Sequence, residues 1–186
     1  MDLNEAITGR RAVREYTDEA VDERTIRRLI DAAIHAPSAV NQQPWTFTVF
    51  RDQSLLDRIS HDAKSHMLAT MPASSRSGHF QSLLDDPGYH IFYHAPVLIL
   101  ISAVAEAPWA VEDCALAAQN LMLAAHAAGL GPCWIGFAQS FLNTPDGKTM
   151  LGLPTVWMSV APIIVGHAKA APPPVPRKQP EVRWIG

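Results

Sequence analysis

A chain of 186 residues, 48% hydrophobic and 18% charged, has ordinary globular composition and reads as one domain over residues 1–186 with a sizeable core. A net charge of −3 and a pI near 6.2 offer no overall attraction for nucleic acid or an anionic membrane, and no metal-ligand spacing is visible. Two cysteines give no disulfide framework, and no apolar run reads as a leader or a bilayer span, so the expected setting is cytoplasmic.

Asp2 and Glu5 have capping-box spacing and open a short helix striped by Leu3, Ala6 and Ile7. Gly9 would let the chain turn out of it. Arg10, Arg11 and Arg14 follow within five residues, either as a solvated basic turn or as a clamp for phosphate oxygens. Asp22 would cap a second helix, with Ile26, Leu29, Ile30, Ala33 and Ile34 on one stripe and a solvated His35 at its end. Residues 33–50 then run through a rigid loop into a strand. Pro37 and Pro44 push the residues before them toward extended backbone, and Trp45, Phe47 and Val49 alternate with threonines. Between the prolines stand Ser38, Asn41, Gln42 and Gln43, a hydroxyl and three amides. Uncharged donors and acceptors in a stiff loop suit a flat heterocycle, or simply bond the local backbone.

Asp52 or Ser54 would cap a third helix carrying Leu55, Leu56 and Ile59. From 64 to 88 the pattern weakens into broken helix and loop, with Ser74, Ser75 and Ser77 in it and a helical piece at 80–84. That stretch is a lid over a site or irregular surface. Residues 97–102 read as a buried strand. Residues 109–128 form the strongest helix, apolar nearly all round after Cys114, fit for a central or subunit-interface position. Gln119 and Asn120 are then expected inside, and His126 as a structural residue. Glycines 129, 131 and 136 bracket a strand or loop that lacks both the P-loop and the dinucleotide fingerprint. They make a tight turn or let backbone approach a flat ligand. A turn at 145–147, a short helix at 148–151 and a buried strand at 156–165 follow, with Pro162 at a strand start or edge. The proline-rich tail ends in Val182, Trp184 and Ile185, which argues for docking.

Four motifs in order resemble the FMN-dependent nitroreductase family and span most of the chain. They are Arg10-Arg11-Ala12-Val13-Arg14-Glu15-Tyr16; Ala36-Pro37-Ser38-Ala39-Val40-Asn41-Gln42-Gln43-Pro44-Trp45; Gln119-Asn120 in a long apolar helix followed by Gly129-Leu130-Gly131 and Trp134-Ile135-Gly136; and Leu151-Gly152-Leu153-Pro154 with Val165-Gly166 before a tail holding Arg177. Ala12 departs from the family's usual serine, leaving only its backbone N–H for a phosphate.

The resemblance implies an α+β fold, a mixed and mostly antiparallel sheet between helices, and a homodimer with a swapped C-terminal extension. It implies FMN, with NADH or NADPH as reductant and a small-molecule electron acceptor such as a nitroaromatic, quinone or enone, in ping-pong order. Arg10, Arg11 and Arg177 would meet the phosphate, and Arg14 would stabilise charge on the pyrimidine side as the catalytic residue. Pro37, Ser38, Ala39, Asn41 and Gln43 would line the cofactor, in part from the partner. Pro132, Cys133, Trp134, Ile135 and Gly136 would approach its ring through backbone. Flavin reduction, dehalogenation, flavin breakdown and a non-catalytic flavin-binding module are the alternatives.

Overall fold

In the computed structural model, which describes residues 1–72, 78–104 and 107–186, four strands form one sheet in the order β1-β2-β4-β3. The strands are β1 (Trp45–Phe50), β2 (Val97–Ala103), β3 (Gly131–Trp134) and β4 (Met158–Gly166). Every neighbouring pair is antiparallel. The expected parallel strand is not among the described residues. Alternation explains how the sheet makes two cores. Val97, Ile99, Ile101 and Ala103 of β2 face one cluster, with α2 (Glu23–Ala33) and α5 (Ala110–Ala127). Leu98 and Leu100 face the other, with α3 (Gln53–Thr70) and α6 (Gly136–Leu142). The helices α1 (Leu3–Gly9), α4 (Gly78–Asp85) and α7 (Pro145–Leu151) complete the order.

Local chemistry sets the ends of these elements. Asp2 and Glu5 form the capping box of α1 in both directions, Asp22 accepts from the Thr25 N–H, and Asp52 accepts from the Ser54 and Leu55 N–H groups. Several expectations need correction. Gly9 does not use a left-handed turn; it leaves room for the His126 ring, whose Nε2 lies 2.8 Å from where a Cβ would stand. The third helix continues to Thr70, past the point where its apolar pattern fades. Ser74, Ser75 and Ser77 lie outside the described residues. Residues 145–147 are the first turn of α7, with Thr144 as cap and Pro145 in the first helical position, where its missing N–H costs nothing. Pro162 sits inside a central strand. Its carbonyl accepts from Ile135, so its nitrogen also faces β3, at the point where β3 has ended. Gln119 is exposed, as are Val111 and Leu116 on the same helix, while Asn120 is half-buried and donates to the Ala32 carbonyl. Trp184 and Ile185 are 91% and 97% exposed on this chain, with the tail in extended backbone. No helix among the described residues is long and apolar enough to cross a membrane.

Gly131 brings the arginine segment against β3. A Cβ there would stand 2.5 Å from a Val13 methyl. Gly131→Ala should therefore destabilise the protein by about 1–3 kcal/mol through overpacking, measurable by urea unfolding.

Candidate functional site

The arginine segment lies along the β3 edge. The Val13 N–H donates to the Pro132 carbonyl at 3.2 Å, and Thr17 and Lys169 exchange backbone bonds with His167 and Glu15 around the Tyr16–Ala168 bridge. Tyr16 is buried, its hydroxyl donating to the Val13 carbonyl at 2.7 Å, and burial pushes its ionisation far up. This fixes the backbone from which Arg10, Arg11 and Arg14 project. Arg11 donates to the Thr8 and Arg10 carbonyls at 2.6 and 2.9 Å. The Nε groups of Arg10 and Arg11 are buried without a partner, and the Ala12 N–H donates to no backbone oxygen among the described residues. Buried unpaired donors are uncommon and costly, and here they belong to cations. Such a set fits a phosphate group.

Arg14 is exposed and lies 6.0 Å over the Tyr93 ring. With Met67, Tyr93 and residues 133–137 it lines a cleft of about 270 Å³. A second cleft of about 240 Å³ joins residues 12–15 to the first residues of the tail, 170–173. Arg14 is shared by both clefts, which gather Ala12 and Cys133, Trp134, Ile135 and Gly136 around it; Pro132 is tied to the same segment through Val13, and Arg10 and Arg11 directly precede Ala12 in the chain. Burial raises the Cys133 thiol, with Arg14 and Arg10 opposing, and Cys114 is pushed up to about 12, so both stay protonated at neutral pH.

The amide loop is elsewhere. It precedes β1, the opposite edge strand, roughly 14 Å away across three strand spacings. Ser38 Oγ accepts the Gln43 N–H at 3.0 Å, and Gln43 Nε2 donates to Asn41 Oδ1 at 2.8 Å. Val40, Asn41 and Gln43 all have positive φ. Pro37, Ser38, Ala39, Asn41 and Gln43 therefore do not meet the arginines of their own chain. Arg177 is exposed, with no hydrogen-bond or ion-pair partner among the described residues.

Sequence reasoning missed Tyr93, Met67 and Phe137 as cleft walls, because they come from irregular or weakly patterned segments. It also missed the spacing of His90 and His94, whose ring nitrogens lie with an Asp57 carboxylate oxygen within 4.8 Å of one another. His90 Nδ1 accepts the Phe92 N–H and Nε2 faces Asp57 Oδ1 at 3.0 Å, so the ring is already satisfied as a neutral structural group.

The chain matches the model of the nitroreductase family over residues 7–167. It belongs to that family. A relative from Methanothermobacter thermautotrophicus, provisionally named NADH dehydrogenase/NAD(P)H nitroreductase, is 36% identical over 73% of this nitroreductase-family chain, which spans 61% of that relative's length. An FMN-bound nitroreductase from Bacteroides fragilis superposes with a TM-score of 0.81 at 25% identity, over 100% of this chain and 98% of that one. An iodotyrosine deiodinase bound to FMN and 3-iodo-L-tyrosine shares the fold alone, with a TM-score of 0.79 at 22% identity over the whole of both chains.

The family fold carries a pH signature in this chain. Burial, then His94, lowers His90; burial, then Arg10 and Arg11, lowers His126. The unfolded chain therefore binds more protons than the folded one as pH drops through the ordinary value of 6.5, and stability present above it is lost below it. Asp22 and Asp52, both held low mainly by side-chain hydrogen bonds, act in a separate window below 3.8. Urea unfolding should show lower stability at pH 5.5 than at 7.5, and a His90→Gln/His126→Gln variant should show a smaller difference.

Proposed function

We propose that this chain is an FMN-dependent oxidoreductase that draws electrons from NADH or NADPH and passes them to nitroaromatic, quinone or enone-type acceptors. The carrying observation is the Arg10–Arg11 pair, whose Nε groups are buried without a partner, beside a cleft lined by the end of β3. The family membership and the FMN-bound fold relative support the same reading.

Bound FMN would supply the two-electron redox chemistry. Arg10 and Arg11 would hold the phosphate through charge-assisted bonds, and the Ala12 N–H would add a neutral donor. Arg14 would lie toward the pyrimidine side of the bound ring and offer it a fixed positive charge. Trp134 to Gly136 offer backbone and apolar surface to a flat ring, while Met67, Tyr93 and Phe137 exclude water from the acceptor. Nicotinamide and acceptor use this cleft in turn.

The amide loop and Arg177 complete the site only across subunits. The distance of the loop from the arginine segment of the same chain supports a homodimer. In it, the exposed Val111 and Leu116 face of α5 is covered and the tail, with Trp184 and Ile185, docks on the partner.

Purified protein should be yellow and should bleach with NADH or NADPH without oxygen. A colourless protein that takes up no FMN would overturn the reading. Steady-state rates against nicotinamide should give parallel lines at different nitroaromatic concentrations; intersecting lines would argue against one shared cleft. Side-by-side turnover of free flavin, halophenols and nitroaromatics assigns the acceptor. Arg11→Ala should cost about 1.5–3 kcal/mol of FMN affinity and leave riboflavin affinity unchanged. Arg177→Ala should do the same if the tail reaches the phosphate.

A further inference from the structure

Asp113, in the first turn of α5, is the most unusual buried group in this chain. It is 3% exposed, and its Oδ2 has no hydrogen-bond partner. Its Oδ1 accepts the Ala39 N–H at 3.0 Å, across 74 residues of sequence. A buried carboxylate with an empty oxygen is costly, and an apolar residue among Ala110, Cys114 and Ala117 would pack without that cost. What the carboxylate does accomplish is local. It fixes the start of a loop whose backbone is strained at Val40 (φ 45°), Asn41 (φ 58°) and Gln43 (φ 49°). Valine is β-branched and seldom adopts a left-handed conformation, and Val40 is 84% exposed, so no packing of its own side chain holds it there. The two other side-chain restraints, Ser38 Oγ to Gln43 and Gln43 to Asn41, are exposed and lie within the loop, as do the backbone bonds from the Asn41 and Gln42 N–H groups to the Ser38 and Ala39 carbonyls. Only the Asp113 bond ties the loop to the rigid α5 core among the described side-chain contacts of residues 38–43.

We infer that Asp113 is a positioning residue that clamps the Ser38–Gln43 loop in its strained shape, so that its amides meet the flavin ring. This rests on the reading of that loop as part of an FMN site.

The test compares Asp113→Ala, which removes the acceptor, with Asp113→Asn, which keeps a carbonyl oxygen at the Oδ1 position. Ala39→Pro removes the donor without touching α5. Ser38 already has extended backbone at φ −139° and ψ 152°, so a following proline fits. Amide hydrogen exchange reads the clamp, and binding of both FMN and riboflavin reads its consequence. Asp113→Ala should speed exchange at residues 41–43 at least tenfold. It should weaken FMN and riboflavin by one common factor of at least ten, since the loop acts on the ring rather than the phosphate. Asp113→Asn should stay within threefold of wild type on both measures. Ala39→Pro should weaken both flavins, and combining it with Asp113→Ala should add little.

Unchanged exchange in Asp113→Ala would overturn the clamp, as would equal losses in the Ala and Asn variants. Faster exchange with unchanged flavin affinity would overturn the positioning role. A wild-type protein that takes up no flavin would sink the functional reading instead, while the exchange comparison would still decide the clamp. If Asp113→Ala does not fold, Ala39→Pro and Asp113→Asn carry the same comparison.

Discussion

Strands β2 and β4 have almost no water on either face, and that burial governs the rest. All seven residues of β2 are buried, and eight of the nine in β4. Each fully buried Leu, Ile or Val contributes roughly 1.5–3 kcal/mol relative to exposure. Both faces must therefore be covered by helices, and α2 and α5 take one while α3 and α6 take the other. A bulge between Ile101 and Ser102 leaves Val160 without a register partner, and Val160 and Ala161 both reach the α5 side. Chemistry is left to the edges. A strand interior packed on both faces has no room for a ligand, whereas an edge strand offers free backbone groups.

The two edges carry different chemistry. β3 is short, and it gives way to α6 just where the Ile135 N–H meets the Pro162 carbonyl. Beside it runs a cationic segment held by backbone bonds, so its guanidiniums need no carboxylate partner to hold the segment in place. β1 is preceded by a neutral, strained loop pinned from below by a buried carboxylate. In the proposed dimer each edge supplies half of a site: cations from one subunit, amides from the other. Folding, association and cofactor binding would then share the same contacts, and each would stabilise the others by mass action.

Much of this was legible in the sequence. Asp2, Asp22 and Asp52 announce helix starts because capping is a local bond within three residues. The run at 97–102 announces a strand buried on both sides. The arginine and amide motifs announce the family that the chain belongs to. Errors fell where distant contacts decided the outcome. Gly9 serves the His126 ring rather than a turn, and Pro162 is accepted mid-strand because its neighbour ends. Gln119, placed inside by the apolar look of its helix, is exposed on the single chain.

Sequence alone determined most of the elements, the caps of the first three helices and the residue types suited to a flat, phosphorylated ligand, because these follow from periodicity and short-range bonding, and its family resemblance gave the α+β class. Only the tertiary structure decided strand order, and with it the placement of arginines and amide loop on opposite edges. Only it put Asp113 beneath Ala39 and Tyr93 beneath Arg14. Such pairings join residues dozens of positions apart, and no local pattern encodes a contact whose partner is chosen by the packing of the whole sheet.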